Sequence, residues 1–513
     1  MDECPSLPSC IDSTRVTDTS SLVKDCFGNP SPLFTQAVKY SLTTPTSGQY
    51  DQRLFNITCD YIRTYYEINY EEPRDISLHQ IINGFGNLKG LDMTTSAGPK
   101  MKLKYQIHTK KPLFIDMTNN ETRNRPWHVL NLPEASGMLR RDPHKAAAYE
   151  LKKDYHNYEV CIESGIPITI ICKDNAKVEL LPKEKVFKGK VRLFNEIDLS
   201  INMLLKKYFG CILESMITKH VDCIYAIGYN PYLDATHYAK EMERGIGENI
   251  STDFEGLDKT IPDYLIDAFV RTTLYNKSPE VQTAIAKTLS FTIHNMDGHL
   301  YTVNGGNESG SFVTTMLNCF CVHVTSWYTY IRKFEEEQFR VPTLDEVLTG
   351  ATMKILGDDC IRRMNMGVTF EDLKQDAALF NLRLTPAKEN GAISFCSREF
   401  ISDNGIIYPA LKRVSIETCL FYVTSESPEK IGQNVSVALF EASLHPEHIF
   451  NEIRERCLRL IRYYNLTPEM YSYRQYRQFF RFYVLGFQFS PVFRDTGNQL
   501  NQNKIYSLNS NHI

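Results

Sequence analysis

The chain has 513 residues, 42% hydrophobic and 23% charged, with a formal net charge of -4 and a pI of about 6.4. This is long enough for two or three domains or subdomains, and the balance is that of a globular protein, which excludes a disordered or fibrous chain. No apolar run approaches the roughly 20 residues of a spanning helix, and the mildly acidic charge leaves any phosphate binding to local basic patches.

The 14 cysteines lack paired metal-type spacing and many lie in apolar runs, as Cys319, Cys321 and Cys360 do. They read as reduced core residues of a cytosolic protein. The start, Met1-Asp2-Glu3-Cys4-Pro5, lacks the basic and apolar regions of a signal peptide.

Residues 1–100 read as Ser/Thr/Pro/Gly loops alternating with short apolar segments, and end on Thr94-Thr95-Ser96-Ala97-Gly98-Pro99. Dense hydroxyls and glycines suit a phosphate chain, and equally suit plain turns. A charged helix is expected over 136–157 and an alternating strand over 167–171. Then comes Lys183-Glu184-Lys185-Val186-Phe187-Lys188-Gly189-Lys190-Val191-Arg192, whose nearly unopposed cations suit a triphosphate or a nucleic-acid backbone; a lysine-guarded edge strand is the plainer alternative. Helix is expected over 199–218 and strand over 224–229, with a turn at Asn230-Pro231.

Thr252-Asp253-Phe254-Glu255-Gly256-Leu257-Asp258 places an acid at a strand end, then a turn, before a helix over 264–274. That layout suits a metal-binding carboxylate, although Asp258 or Asp263 could simply cap a helix. Gly305-Gly306-Asn307-Glu308-Ser309-Gly310-Ser311 opens a long apolar helix over 312–331 but matches neither a Walker loop nor a dinucleotide fingerprint. Ser309, Thr314 and Asn318 put hydroxyls and an amide where a sugar or base could meet them.

Gly357-Asp358-Asp359, between Ile355-Leu356 and Cys360-Ile361, reads as a hairpin tip. Two adjacent carboxylates repel, and fixing both at the end of buried strands usually needs a hard cation; a solvent-facing loop is the plainer alternative. A helix over 370–381, a strand and turn at Leu384-Thr385-Pro386-Ala387-Lys388 and a second hairpin over 393–401 follow. The remainder is expected to be helical, with Arg454, Arg456, Arg459, Arg462, Arg474, Arg477 and Arg481 among aromatics that either line a duplex groove or fill a core.

These segments, in this order, resemble motifs G, F, A, B, C, D and E of the viral RNA-dependent RNA polymerases, most closely the picorna-like group (picornavirus, dicistrovirus or iflavirus type). The resemblance spans roughly residues 80–415. It implies an α+β, closed right-hand polymerase: fingers from 1–208 and 261–305, a palm with an antiparallel sheet from 209–260 and 306–408, and a helical thumb from 409–513. It implies template-directed RNA synthesis, with Asp253, Asp358 and Asp359 on two Mg2+ ions (Mn2+ a substitute) and Lys388 as general acid. Lys185 and Arg192 would meet the triphosphate, Asp258, Thr314 and Asn318 the ribose, Ser309 and Gly310 would form a moving loop, and Thr95 and Ser96 would guide the template. Implied partners are an RNA template-primer, ribonucleoside triphosphates, a small genome-linked protein primer and other viral replication proteins. The implied setting is the host cytoplasm, at membrane-associated complexes reached through partners.

Leu356 stands where picornaviruses usually carry Tyr, and Lys388 comes one residue earlier than in the common Thr-Pro-Ala-Asp-Lys form. Small Gly256 and the polar Asp258 and Asn318 favour ribonucleotides over the deoxyribonucleotides of a reverse transcriptase. A non-catalytic RNA-binding protein with a Gly-Asp-Asp turn would be indifferent to Mg2+.

Overall fold

The computed structural model describes residues 13–15, 49–114, 143–177, 180–182, 192–386, 393–421 and 427–486. The chain divides into two compact units, Met1–Tyr422 and Val423–Ile513.

The first unit is built on one helix, Thr314–Gln338, which is buried almost all round from Met316 to Ile331. A helix apolar on every side belongs inside a core; an antiparallel sheet and several helices pack on it, and a second four-stranded sheet belongs to the same unit. One sheet has the order Ala351–Leu356, Asp359–Met364, Glu248–Phe254, Leu384–Pro386, all neighbours antiparallel. The other has the order Leu193–Glu196, Ile170–Ala176, Phe291–Met296, His299–Asn304, with one parallel pair at its centre. Strand Ile170–Ala176 alternates buried and exposed residues, the period-two signature of a half-buried strand. It starts three residues later than the sequence pattern suggests.

Helix Leu199–Thr218 has the expected bounds. Its neighbour Pro143–Glu163 carries the charged stretch, and the acidic strand, the helix after it and helix Phe370–Leu379 also form as expected. The looped reading of residues 1–100 needs correction. An 18-residue helix, Gln52–Asn69, lies within it, capped by Asp51, whose carboxylate accepts from the Arg53 and Leu54 amides. It buries Leu54, Phe55, Thr58, Ile62, Tyr65 and Tyr66, a spacing of three and four that belongs to one helix face. Half of that face is Tyr and Thr, residue types that favour strands. Residues 224–229 form a turn with a single parallel bridge, Tyr225 to Ile355, in place of a strand. Asn230 caps helix Pro231–Arg244 through the Tyr232 amide.

Lys354 fixes the first strand of the acidic hairpin. Its buried ammonium donates to the Val221 and Cys223 carbonyls at 2.8 Å each and lies 2.9 Å from Glu241 Oε2. A three-stranded sheet, Ser394–Phe395, Arg398–Asp403 and Ile406–Leu411, completes this unit.

The second unit consists of helices Pro428–Ser443, Glu447–Tyr464 and Tyr473–Phe479, the last continuing into a π-helical turn over Phe480–Val484. Its aromatics form a core: Phe450 packs on Tyr473 and Tyr476, and Arg477 donates to the Tyr473 hydroxyl at 2.7 and 2.9 Å. Arg459 and Arg462 are exposed.

Candidate active site

Strand pairing places three acids at one end of the first sheet. Leu356 pairs with Asp359, so Gly357-Asp358 is a two-residue turn, and Gly357 takes the positive φ of 65° that such turns ask of their first residue. The Gly357 amide donates to Cys319 Sγ at 3.1 Å, tying the turn to the long helix. On the other side Cys360 pairs with Thr252, so Asp253 follows alongside Asp359 at the ladder's end. Thr385 pairs with Asp253 and donates from its hydroxyl to the Asp253 carbonyl at 3.1 Å. Arg362 holds the acid-bearing strands to the helix: its buried guanidinium donates to Thr252 Oγ1 at 2.6 Å and Ser326 Oγ at 2.9 Å.

Asp253, Asp358 and Asp359 all face solvent. Partial desolvation raises the Asp358 carboxyl above its ordinary value and the charge of Asp253 adds to this, while its own backbone amide and Arg192 oppose it. An all-oxygen set of clustered carboxylates is what a hard divalent ion takes. Among the described residues, the donor group drawn within 4.8 Å is a different one, Cys172, His294 and Glu308; the three acids are spread over two strands and a turn.

A second polar group lies beside the acids. Asp258 sits on the short helix Leu257–Thr260, entered through Gly256 at φ 63°, and caps nothing. Its carboxylate accepts the Asn318 amide at 2.7 Å, and Asn307 donates to Asn318 Oδ1 at 2.8 Å. Burial raises the Asp258 carboxyl; Asn318 and Lys259 oppose the shift, and the charge of Asp358 adds to it. Thr314 spends its hydroxyl on the loop, donating to the carbonyls of Glu308 at 2.6 Å and Ser311 at 2.8 Å.

Ser309 and Gly310 are exposed at the tip of that loop, against strand Leu193–Glu196. The Asn195 amide donates to Ser309 Oγ at 3.0 Å, and Asn202 donates to the Gly310 carbonyl at 3.0 Å. A Cβ on Gly310 would lie 2.0 Å from the Asn195 carbonyl oxygen, so only glycine allows this approach. Arg192, exposed, directly precedes the same strand. Ser96 donates to Glu196, which also pairs with Lys102 at 2.7 Å; Thr95 is exposed, donates to the Asp92 carbonyl at 2.8 Å and accepts from Lys110. Lys185 and Lys388 lie outside the described residues.

Sequence reasoning missed Asn195, Lys259, Asn307 and Glu308 as parts of the site. Asn307 and Glu308 stand inside the glycine-rich stretch, so position alone pointed to them. Nothing local marks Asn195, whose partners Asp174, Lys259 and Ser309 come from three distant segments.

A sequence model of the family "Viral RNA-dependent RNA polymerase" matches residues 88–466. The chain is 24% identical over 500 residues to Polyprotein-FSD of Solenopsis invicta virus 3, covering 91% of this chain and 14% of that polyprotein. It is 22% identical to the RNA1 polyprotein of Satsuma dwarf virus, over 61% of this chain and 16% of the relative, and 20% identical to the genome polyprotein of Ljunganvirus 1, over 86% and 18%. The chain thus spans less than a fifth of each of these relatives. In fold it is similar to the Sicinivirus 3Dpol RNA dependent RNA polymerase, with a TM-score of 0.70, 14% identity and 93% of each chain covered. The α+β right-hand fold is therefore the expected one. With nearly three-quarters of its length inside the family match and the Gly-Asp-Asp hairpin at the end of the antiparallel sheet, the chain belongs to the viral RNA-dependent RNA polymerases.

Proposed function

We propose that this polymerase extends an RNA primer on an RNA template by two-metal nucleotidyl transfer, replicating a positive-strand genome. The observation that carries the reading is the convergence of Asp253, Asp358 and Asp359 at one sheet end, beside the Asp258–Asn318 pair. The three carboxylates would hold two Mg2+ ions, with Mn2+ as a substitute. Such ions, when bound, lower the pKa of the primer 3′-hydroxyl and neutralise charge on the phosphates.

Asp253 and Asp358 position the reacting groups at the hairpin tip, and Asp359 assists. The primer 3′-hydroxyl gives its proton to solvent water and its oxygen bonds to the α-phosphorus as the bond to the β-phosphate oxygen breaks; pyrophosphate leaves and takes a proton from Lys388. Lys185 and Arg192 bind the triphosphate. Asp258 and Asn318 receive the ribose 2′-hydroxyl, with Thr314 setting the loop beside them. Ser309 and Gly310 move with the template, and Thr95 and Ser96 guide it in.

In this reading residues 1–208 and 261–305 are fingers, 209–260 and 306–408 palm, and 409–513 thumb. The partners are a template-primer RNA, ribonucleoside triphosphates, a small genome-linked protein primer and other replication proteins, at membrane-associated complexes in the host cytoplasm. Among the described residues no helix is long and apolar enough to cross a membrane.

The test is primer extension on a short RNA template-primer with Mg2+ and ribonucleotides, comparing the native chain with Asp358→Ala. The variant is expected to bind RNA and lose at least roughly a thousandfold in incorporation, the equivalent of several kcal/mol. Extension retained in Asp358→Ala would reject the metal assignment.

A further inference from the structure

Beneath the Ser309-Gly310 loop lies a buried charged cluster that the chemistry above does not use. His294 is 1% exposed and bridges two carboxylates, with Nδ1 2.9 Å from Asp174 Oδ1 and Nε2 3.0 Å from Glu308 Oε1. Thr292 donates to the same Glu308 oxygen at 3.1 Å. Tyr301 stacks on the imidazole at a centroid distance of 4.9 Å and donates to Asp174 Oδ2 at 2.6 Å. Asn195 donates to Asp174 at 2.6 Å, while its own Oδ1 accepts the Lys259 ammonium at 3.0 Å.

Each of the four strands of the second sheet supplies a member: Asp174, Asn195, His294 with Thr292, and Tyr301. Glu308 alone comes from the loop. Burial pushes the Glu308 carboxyl up, but Lys259 and His294 outweigh it and bring the group down to about 2. Burial lowers His294, and Asp174 and Glu308 override that and hold it at about 9. Two anions therefore face two cations, and a buried set of this kind is costly to leave with one charge unmatched.

The loop is held through two adjacent residues that reach in different directions. Glu308 fastens it to the sheet, and Asn307 reaches Asn318, which in turn holds Asp258. We infer that Glu308 and His294 are positioning residues for nucleotide selection: their ion pair, braced by Asp174, clamps the loop to the second sheet so that Asn307 keeps Asn318 and Asp258 in register for a ribose. This rests on the reading of Asp258 and Asn318 as ribose contacts. Cys172 lies close enough to His294 and Glu308 to complete a zinc-type donor set. Burial and the neighbouring carboxylates hold its thiol protonated, which favours a hydrogen-bond donor over a metal ligand.

The test uses the full chain on a template-primer RNA, measuring single-nucleotide incorporation of ATP and of 2′-deoxy-ATP. Glu308→Gln is expected to raise KM for ATP about tenfold, well inside what misplacing a bound group can cost, with kcat and template-primer affinity held and the preference for ribose reduced. His294→Gln should do the same, and the double variant should be no worse than the worse single one, since both break one interaction. Thr292→Val, which removes a single hydroxyl from Glu308, should move KM in the same sense by less, and decides the matter if Glu308→Gln does not fold. An unchanged KM and ribose preference in folded Glu308→Gln, or in Thr292→Val, would overturn the inference. Asp258→Ala run in parallel separates the two failures: if its ribose preference falls while Glu308→Gln is unaffected, only the clamp is wrong; if its preference is intact, the ribose reading itself falls. Stoichiometric zinc in the native chain, lost in His294→Gln, would replace the ion pair with a metal site and also overturn it.

Discussion

The Gly357 amide and the Cys319 thiol, 3.1 Å apart, join the turn that carries the acidic pair to the helix that carries Asn318. Cys319 is fully buried, so the turn's position is set by the core beneath it rather than by contacts in solvent. Cys319→Ala is expected to lower unfolding free energy by about 1 kcal/mol, the worth of one hydrogen bond. Because the turn carries Asp358, the single-turnover rate should fall while nucleotide KM stays near native. Urea unfolding and rapid-quench incorporation would check the pair, and a normal rate would show that the turn holds its place without the thiol.

Asn318 is the middle of a chain of three side chains, accepting from Asn307 and donating to Asp258. Asn318→Ala breaks both contacts and removes a group that opposes the upward shift of the Asp258 carboxyl. Its preference for ATP over 2′-deoxy-ATP should narrow by about tenfold to a hundredfold, the 1–3 kcal/mol of an unsatisfied buried group. An unchanged ratio would remove Asn318 from ribose selection.

His323 gives the fold an acid limit. It is fully buried beside Trp327, with Nδ1 3.0 Å from the Tyr225 hydroxyl, and burial depresses it from 6.5 to about 3. Between those values the unfolded chain binds a proton that the folded chain refuses. This contribution is complete above pH 6.5 and is lost at about 1.4 kcal/mol per pH unit as pH falls toward 3. The urea midpoint should therefore drop from pH 7 to pH 5 in the native chain and drop less in His323→Gln. Parallel pH profiles for the two would exclude this histidine.

Lys388, placed by its motif alone, is the proposed proton donor to pyrophosphate. Lys388→Leu should slow single-turnover incorporation by about a hundredfold without abolishing it, the usual share of a general acid. A native rate would move the role to another group.

Helix 199–218, the acidic strand, the Gly-Asp-Asp hairpin and the long central helix were all legible because each is marked by a strong local pattern or a sharp turn signal. The helix Gln52–Asn69 was not, since its buried face leans on Tyr65, Tyr66 and Thr58, residues that read equally well as strand or loop. The three central acids could be named from motif order. The ion-pair cluster could not, because Asp174, Asn195, His294 and Glu308 meet only once four strands are laid side by side, and pairing order is not written in any one segment.

The bare backbone of Gly310 against Asn195 bears on how this polymerase could evade an inhibitor. A compound seated on that tip would touch a position with nothing to trade, since even a methyl group would collide with the Asn195 carbonyl. Escape by substitution there would require strand Leu193–Glu196 to shift as well. That strand follows Arg192 and carries Asn195 and Glu196, so the genome would have to alter several contacts at once to keep copying itself.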